Sequence, residues 1–491
     1  MISRSTQTEL LLTLVTGLAG VASSYIVAGW TRSFVVAPID QQIVNRSPDR
    51  IRTYMIENVG EPAHLLHIAL AVVMMTGVLA ALSLVGLRLG QRLDRPSIGG
   101  LFAGGAAWLL TLGLTGEPML ALAPAVPMAV LTVVGGVQTA AGTVDTSRRR
   151  TLGTVAGALG FAGVAAIGGR LLHQRGPLED APNSDGAGPR LEEASAAELD
   201  VESDDLMGLV SSIAGFYNVD ITEFDPQVSK DEWSLTVTGD VGSERKLTFS
   251  ELIDQPVENR LVTLRCVGEG INDRKLDTAV WTGTPIRPLL ESVDPDSDCD
   301  CVMLRGEDDY YVQFPVDVLV DGFLAWGMNG KELPTGHGHP VRVLIPGHWG
   351  ETNVKWLTEI ELLNTEADGY WEERGWQGTG EVNTIAKLWE EGITHLDDGR
   401  VELAGHAYAG TRGIERVEVS TDGGSTWNEA DLSDPLPDED VWRQYRYVFE
   451  PSGSHDVVVR AVDGEGTVQP SEESSPSPSG SSGWVSQTVA E

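Results

Sequence analysis

Leu264-Arg265-Cys266-Val267-Gly268 is the stretch on which the reading of this chain turns, together with His337-Gly338-His339-Pro340-Val341-Arg342-Val343-Leu344-Ile345-Pro346-Gly347. The second run continues through His348-Trp349-Gly350 to Asn353-Val354-Lys355-Trp356-Leu357. A cysteine thiolate is a soft ligand suited to a heavy redox metal. Arginine and lysine interleaved with glycines suit the phosphate tail of an organic cofactor. A lone cysteine in a globular domain is ordinarily a small buried hydrophobe, so the surroundings of Cys266 carry the inference.

The other two cysteines add little. Cys299 and Cys301 stand two apart, too close for an unstrained bridge, and neither shows metal-site spacing or a haem-attachment pattern. At 491 residues the chain is long enough for about three domains. Its net charge of -37 is unevenly spread. Residues 1–175 hold 13 arginines, no lysine and 8 acids, whereas the remainder, with 63 acidic and 21 basic residues, is net −42. Such a surface repels phosphates, which excludes a nucleic-acid partner. Lysine is scarce (six, against 28 arginines), and the acids lie within the patterned domains as well as between them. That balance is expected of a halophilic protein, dissolved in very high salt.

Five apolar stretches fill the first third: Leu10–Trp30, Ala63–Leu87, Ile98–Gly116, Met119–Val144 and Leu152–Leu172. Each is about 18 residues or longer, enough to cross a bilayer. An odd number of spans puts the two ends on opposite sides. Arg4, the Arg88/Arg92/Arg95 loop and Arg148-Arg149-Arg150 share one side, and the arginine bias makes it cytoplasmic. The acidic remainder is then extracytoplasmic. Ser147-Arg148-Arg149-Arg150-Thr151-Leu152-Gly153 reads either as a positive-inside anchor or as an internal twin-arginine export signal, with Thr151 in place of the usual phenylalanine. His64 and His67 begin the second span, but His173 lies at a far end, so haem ligation across two helices is poorly supported. From Gly176 to Leu206 the composition predicts a solvated acidic linker.

Beyond the linker, Trp233-Ser234-Leu235-Thr236-Val237-Thr238-Gly239 alternates apolar and polar residues before a glycine, the mark of a strand and turn. Alternation recurs in Val262–Cys266, Val302–Leu304, Tyr311–Phe314 and Val341–Ile345, with short helices predicted at Phe249–Leu252 and Ile286–Ser292. The fold class is therefore mixed α+β with dominant sheet. Several separated motifs then fall in one order: Phe216-Tyr217, Trp233–Gly239, Leu247–Leu252, Cys266, Trp281-Thr282-Gly283-Thr284-Pro285-Ile286, Gly327–Pro334, the His337 loop and Gly369–Trp376. In this order they resemble the sulfite-oxidase-fold family of molybdopterin-dependent oxidoreductases, in a membrane-anchored, haloarchaeal-type form. The resemblance covers roughly Gly215 to the C-terminus.

What the resemblance implies is a molybdenum-molybdopterin cofactor, with Cys266 as the thiolate ligand of the metal. Phe216 and Tyr217 would pack against the pterin. His337, Arg342 and Lys355 would hold its phosphate, and Asn353 would supply a further donor. Such a centre takes up two electrons while an oxygen atom moves to or from a small oxo-substrate. Sulfite-oxidising members resemble Cys-Ala-Gly-Asn-Arg-Arg after the ligand; here the run is Cys266-Val267-Gly268-Glu269-Gly270-Ile271-Asn272-Asp273. Glu269 beside the metal would disfavour an oxyanion. Sulfite is therefore doubtful, a sulfoxide is at least as good a candidate, and Glu269 is expected to face the substrate. Arg265, being next to Cys266 on a strand, points to the opposite face.

From Val401 the pattern becomes all-β. Val401–His406 and Gly413–Ser420 alternate, Thr421-Asp422-Gly423-Gly424-Ser425-Thr426-Trp427 reads as a tight turn, and Trp442–Phe449 and His455–Val462 come after it. This resembles the immunoglobulin-like dimerisation domain of the same family, implying either homodimer formation or bracing of the cofactor domain. The expected organisation is a transmembrane domain over 1–175, a linker over 176–206, a molybdopterin domain over 207–396 and an immunoglobulin-like domain over 397–491. No haem or flavin motif is visible, so a separate electron carrier or quinone-linked partner is expected. A scaffold keeping this fold without metal is the alternative from another class, and nothing in it explains a thiolate opposite a cationic loop.

Overall fold

The computed structural model describes residues 4–55, 59, 62–140, 156–157, 160, 163–164, 178–295 and 299–490. The chain divides into two compact units: Met1–Gly176 with Thr222–Gln227, and Pro177–Ile221 with Val228–Glu491.

In the first unit, helices α1 (Arg4–Ala28), α4 (Pro62–Arg92), α5 (Pro96–Thr115) and α6 (Leu122–Ala140) correspond to the first four apolar stretches. All four are long and apolar enough to cross a membrane, which makes this a multi-pass protein. Most of the fifth expected span, the arginine run at 148–150 and His173 lie outside the described residues. Between α1 and α4 the chain forms two short helices, α2 (Ala37–Arg46) and α3 (Asp49–Tyr54). Small residues let the long helices touch backbone to backbone: a Cβ on Gly86 would stand 2.5 Å from the Gly99 carbonyl oxygen. The buried hydroxyls of Ser83 and Thr132 meet across α4 and α6 at 2.9 Å. Leu66, Val73, Leu101 and Leu109 remain exposed, as lipid-facing side chains must. His67 places Nδ1 2.7 Å from the Asp40 carboxylate. Phe224, 2% exposed, packs its ring 4.9 Å from that of Trp30.

The second unit begins earlier than expected. The stretch 176–206, predicted as a solvated linker, carries α7 (Ala187–Ala197), with Ala181, Ala187 and Ala194 buried. Trp326 Nε1 donates to the Pro182 carbonyl, and Leu199 N donates to the Gln444 side chain. Composition alone signals solvation here, but a few alanines and backbone groups suffice to dock the segment.

Two sheets come next, the first mixed and the second wholly antiparallel. One has the order β2-β1-β10-β5-β6, from Arg245–Thr248, Ser234–Gly239, Leu357–Leu363, Cys301–Gly306 and Tyr311–Pro315. The alternation read in the sequence puts Leu235 and Val237 wholly inside, each contributing about 2 kcal/mol of burial. Helix α8 (Phe249–Ile253) starts at a Thr248/Glu251 capping box, and α9 (Arg287–Glu291) is the second predicted helix. The other sheet has the order β3-β4-β7-β8, from Glu258–Arg265, Leu276–Pro285, Phe323–Met328 and Lys331–Glu332, with β9 (Arg342–Leu344) also paired to β7. Cys299 and Cys301, expected to stay apart, are joined as a disulfide. Asp300 between them adopts a φ of 49°, a left-handed turn that brings the two side chains to one side.

The C-terminal strands form two antiparallel sheets, as the alternation predicted. One is β11-β13-β17-β16, from Ile385–Lys387, Val401–Tyr408, Arg443–Phe449 and Asp431–Leu432, with β12 (Ile393–His395) also on β13. The other is β15-β14-β18-β19, from Asn428–Glu429, Ile414–Ser420, His455–Asp463 and Val485–Val489. In the predicted turn, Asp422 Oδ1 accepts from the backbone of Ser425 and Thr426, while Gly423 and Gly424 take φ of 71° and 88°.

Candidate active site

Cys266 stands directly after β3, where the chain leaves the sheet, and its amide donates to the Lys275 carbonyl at 3.0 Å just before β4 begins. A ten-residue loop, 266–275, is thus closed at its base. Cys266 is the free cysteine and is half-buried. Burial pushes its thiol above the ordinary range, while the nearby Lys275 charge and the Gly268 amide pull the other way.

Phe216 and Tyr217 do lie on this site. Their rings stack at 5.5 Å, and Phe216 meets Trp281 and His337 edge-on at 5.7 and 5.5 Å. The Tyr217 amide is fixed by Asp277 Oδ2 at 2.8 Å. Gly350 approaches so closely that a Cβ there would sit 2.9 Å from the Tyr217 hydroxyl.

His337 ends a 3₁₀ turn and is 6% exposed. Burial, then the Lys355 and Arg342 charges, hold its pKa down at about 3, so the ring is neutral near pH 7. Arg342 opens β9 and is 3% exposed. Its guanidinium donates to the carbonyls of His337 (3.3 Å) and Asn353 (3.0 Å) and lies over the Trp281 ring. Burial lowers it to about 10, so the charge persists at neutral pH. Arg342 makes no ion pair with a carboxylate among the described residues. Arg342 Nε and His337 Nδ1 are buried without a hydrogen-bond partner. An unpaired buried polar atom costs folding free energy; Arg342 Nε is a donor left without an acceptor, and the neutral His337 Nδ1 donates or accepts according to its tautomer. An Arg342 Nε without an acceptor and a half-buried free thiol fit a molybdenum-molybdopterin cofactor.

Other expected residues are placed differently. Asn353 has both ends of its amide occupied within the loop: Oδ1 accepts from Ile345 N at 2.7 Å and Nδ2 donates to the Trp349 carbonyl at 3.1 Å. It shapes the loop rather than offering a donor outward. Lys355 is bound by Asp220 at 2.5 Å, by Asn218, and by the Gly336 carbonyl at 2.8 Å. It ties the Phe216-Tyr217 segment to the His337 loop. Glu269 is fully buried: Oε1 takes Arg265 Nε at 2.8 Å and Lys387 Nζ at 2.9 Å, and Oε2 takes the Lys275 amide at 3.0 Å. The expectation that it confronts substrate does not fit this placement, because both oxygens and the charge are already answered.

Glu351 and Glu372 escaped the sequence reading. Burial and the neighbouring Glu372 carboxyl push Glu351 well above the usual carboxylate range, and burial raises Glu372 too. Two carboxyls in contact cannot both ionise, so the pair holds a proton. In so acidic a chain no signal singled them out.

Comparison with known proteins now bears on this geometry. Residues 222–371 match the family model described as the oxidoreductase molybdopterin binding domain, and residues 381–476 match the Mo-co oxidoreductase dimerisation domain. The chain carries a molybdopterin-binding oxidoreductase domain. Among similar proteins, the sulfite oxidase of Arabidopsis thaliana is 26% identical over 302 residues, covering 48% of this chain and 76% of that protein. The mitochondrial sulfite oxidase of Rattus norvegicus is 28% identical over 298 residues, covering 50% of this chain but 54% of the rat protein. The chain therefore spans about half the length of that relative. Nitrate reductase [NADH] 2 of Nicotiana tabacum is 27% identical over 270 residues, 43% of this chain and 30% of the enzyme. The sulfane dehydrogenase SoxCD of Paracoccus pantotrophus aligns structurally at 20% identity and a TM-score of 0.47, over 54% of this chain and 76% of that one. Both the Cys266 loop and the His337–Lys355 run lie inside the molybdopterin-binding domain, whereas Phe216 and Tyr217 precede the matched residues.

Proposed function

We propose that this chain is a membrane-anchored, externally facing molybdopterin-dependent oxidoreductase performing two-electron oxygen-atom transfer on a small oxo-substrate. One observation carries the reading: a free, half-buried thiol shares its site with buried cationic and imidazole nitrogens that lack hydrogen-bond partners. The bound cofactor supplies the redox change and the oxygen-carrying centre. The protein does the rest. Cys266 furnishes the thiolate. Arg342 keeps its charge beneath the phosphate, and neutral His337 offers a hydrogen bond without adding a cation. Asn353 and the Lys355–Asp220 pair hold the loop that presents them. Phe216 and Tyr217 provide a flat apolar wall, and the Glu351–Glu372 pair keeps an acid available.

The similarity to sulfite oxidases makes sulfite one substrate to assay. The run after Cys266 has no arginine until Arg274, which favours a sulfoxide, and the neutralised Glu269 no longer argues against an anion. Electrons pass to or from a separate carrier or a quinone-linked partner. The C-terminal sheets form an immunoglobulin-like domain suited to homodimer contacts, the arginine bias puts the acidic half outside, and the lysine-poor surface suits high salt.

The test is the molybdenum and pterin content of the full chain, purified in detergent and high salt from a host that makes the cofactor, beside Cys266→Ser. The expected result is about one molybdenum per chain, lost or spectroscopically altered in the variant. Reduced-viologen turnover with a sulfoxide and ferricyanide turnover with sulfite then separate the substrates. A folded chain free of metal and pterin would overturn the reading in favour of a scaffold.

A further inference from the structure

The side chains beneath Cys266 come from two domains. Glu269, Arg265 and Lys387 form a three-ion set with all three side chains 0% exposed. Arg265 precedes the thiol, Glu269 lies in its loop, and Lys387 ends β11, within the region matching the dimerisation domain. Glu269 reaches both ends of the loop: Oε1 holds Arg265 and Oε2 holds the Lys275 amide, against whose carbonyl the Cys266 amide is bonded. Lys387 also donates to the Asp273 carbonyl at 2.8 Å. The remaining donors of Arg265 go to the Asn383 carbonyl (2.7 Å) and to Ser481, both in the C-terminal region.

A second set of bonds makes the same join without charge. Asn272 Nδ2 donates to the Leu388 carbonyl at 2.7 Å, and Leu388 N returns a bond to Asn272 Oδ1 at 3.1 Å. Trp389 Nε1 donates to the Asn272 carbonyl at 3.1 Å. The Cys266 loop is therefore tied to residues 387–389 by side-chain-to-backbone bonds. Buried ion pairs return little net stability because desolvation offsets their attraction. They do impose one geometry, since any displacement leaves a charge unanswered.

We propose that Lys387 is a positioning residue for Cys266, acting through Glu269, so that the C-terminal domain supplies part of the support of the metal ligand. The role assigned to Cys266 rests on the function proposed above. Residues supporting a metal ligand from behind fix its direction and tune what it binds. On this reading the C-terminal domain belongs to the site as well as to any dimer contact.

The experiment uses the full chain in detergent and high salt, as wild type, Lys387→Met, Lys387→Arg and Asn272→Ala. One readout is the alkylation rate of Cys266 by iodoacetamide in metal-free protein; the other is the electron paramagnetic resonance spectrum of the molybdenum-loaded protein. In Lys387→Met the alkylation rate is expected to change about tenfold. Molybdenum occupancy is expected to fall roughly tenfold, with an altered spectrum. Lys387→Arg should restore both. Asn272→Ala, which leaves the ions intact, should shift both in the same direction by less. Wild-type alkylation and spectrum in folded Lys387→Met would overturn the proposal, as would the same result in Lys387→Gln, the smaller neutral change to be used where Lys387→Met is unfolded. If no variant and no wild type takes up molybdenum, the proposed function fails, while the alkylation rates still decide whether Lys387 positions the thiol.

Discussion

The two loops that meet at this site are built on opposite terms. In the His337–Lys355 run, buried nitrogens of His337 and Arg342 are left without hydrogen-bond partners. In the Cys266–Lys275 loop, Glu269 has every oxygen engaged, and the cations around it have carbonyls or carboxylate to hold. Both loops are polar and buried, yet one is incomplete and the other complete. An incomplete buried set costs stability, which a ligand can offset. A complete one fixes shape. Polar burial alone thus does not mark a binding residue; unanswered atoms gathered near a half-buried thiol are the stronger sign.

That contrast can be broken from either side. Glu269→Gln should have the largest effect on folding, because two buried cations would then face each other. The expected loss is about 3–5 kcal/mol, read from denaturant unfolding of the metal-free chain. A loss near zero would mean that the set is not buried as described. Arg342→Met should do the reverse on the incomplete side. It removes a buried cation that has no carboxylate, so the metal-free chain should be as stable as wild type or more so. Cofactor retention should fall about 10–100-fold, measured as pterin per chain after gel filtration; unchanged retention would remove Arg342 from the pocket.

A third effect is on acid stability. His337 is held at about 3 in the folded chain against 6.5 when unfolded. Between those values the unfolded state binds the extra proton, so this group makes stability fall as pH drops through that window. Asp277 and Asp440, raised by burial to about 6 and about 7, act in the opposite sense: they lose stability as pH rises toward those values. His337→Gln should therefore flatten the acid loss of the metal-free chain, with the gap between variant and wild type widening from pH 7 to pH 4. Parallel unfolding midpoints would show that the ring is solvated.

Much of the fold was legible because its signals are local. Four spans announced themselves through length and apolarity, with ends close to those observed. Strands such as β1, β5, β6, β13 and β18 were readable from alternation, whereas β4, β7 and β10 were not read as strands. The residues proposed to hold the cofactor, Cys266, Arg342, His337 and the Phe216-Tyr217 pair, were singled out by residue type and chemistry. The site was not legible where the same types serve other ends. Lys355 and Asn353 have the right chemistry for a phosphate, yet Asp220 and Ile345 already engage them. The 176–206 segment has the composition of a linker, and its docking depends on a few alanines meeting a surface formed hundreds of residues later.

By itself, then, the order of residues determined the membrane-spanning helices, the sheet-rich character of the C-terminal two thirds, and the presence of a thiol opposite a basic loop. Periodicity and residue chemistry act over a few positions and need no partner to be recognised. Only the tertiary structure decided which charges are spent and which are free. Glu269 looks like an exposed acid beside a metal until Lys387, 118 residues on, is brought to within 2.9 Å of it. A charge is defined by what surrounds it, and those surroundings are assembled by long-range folding.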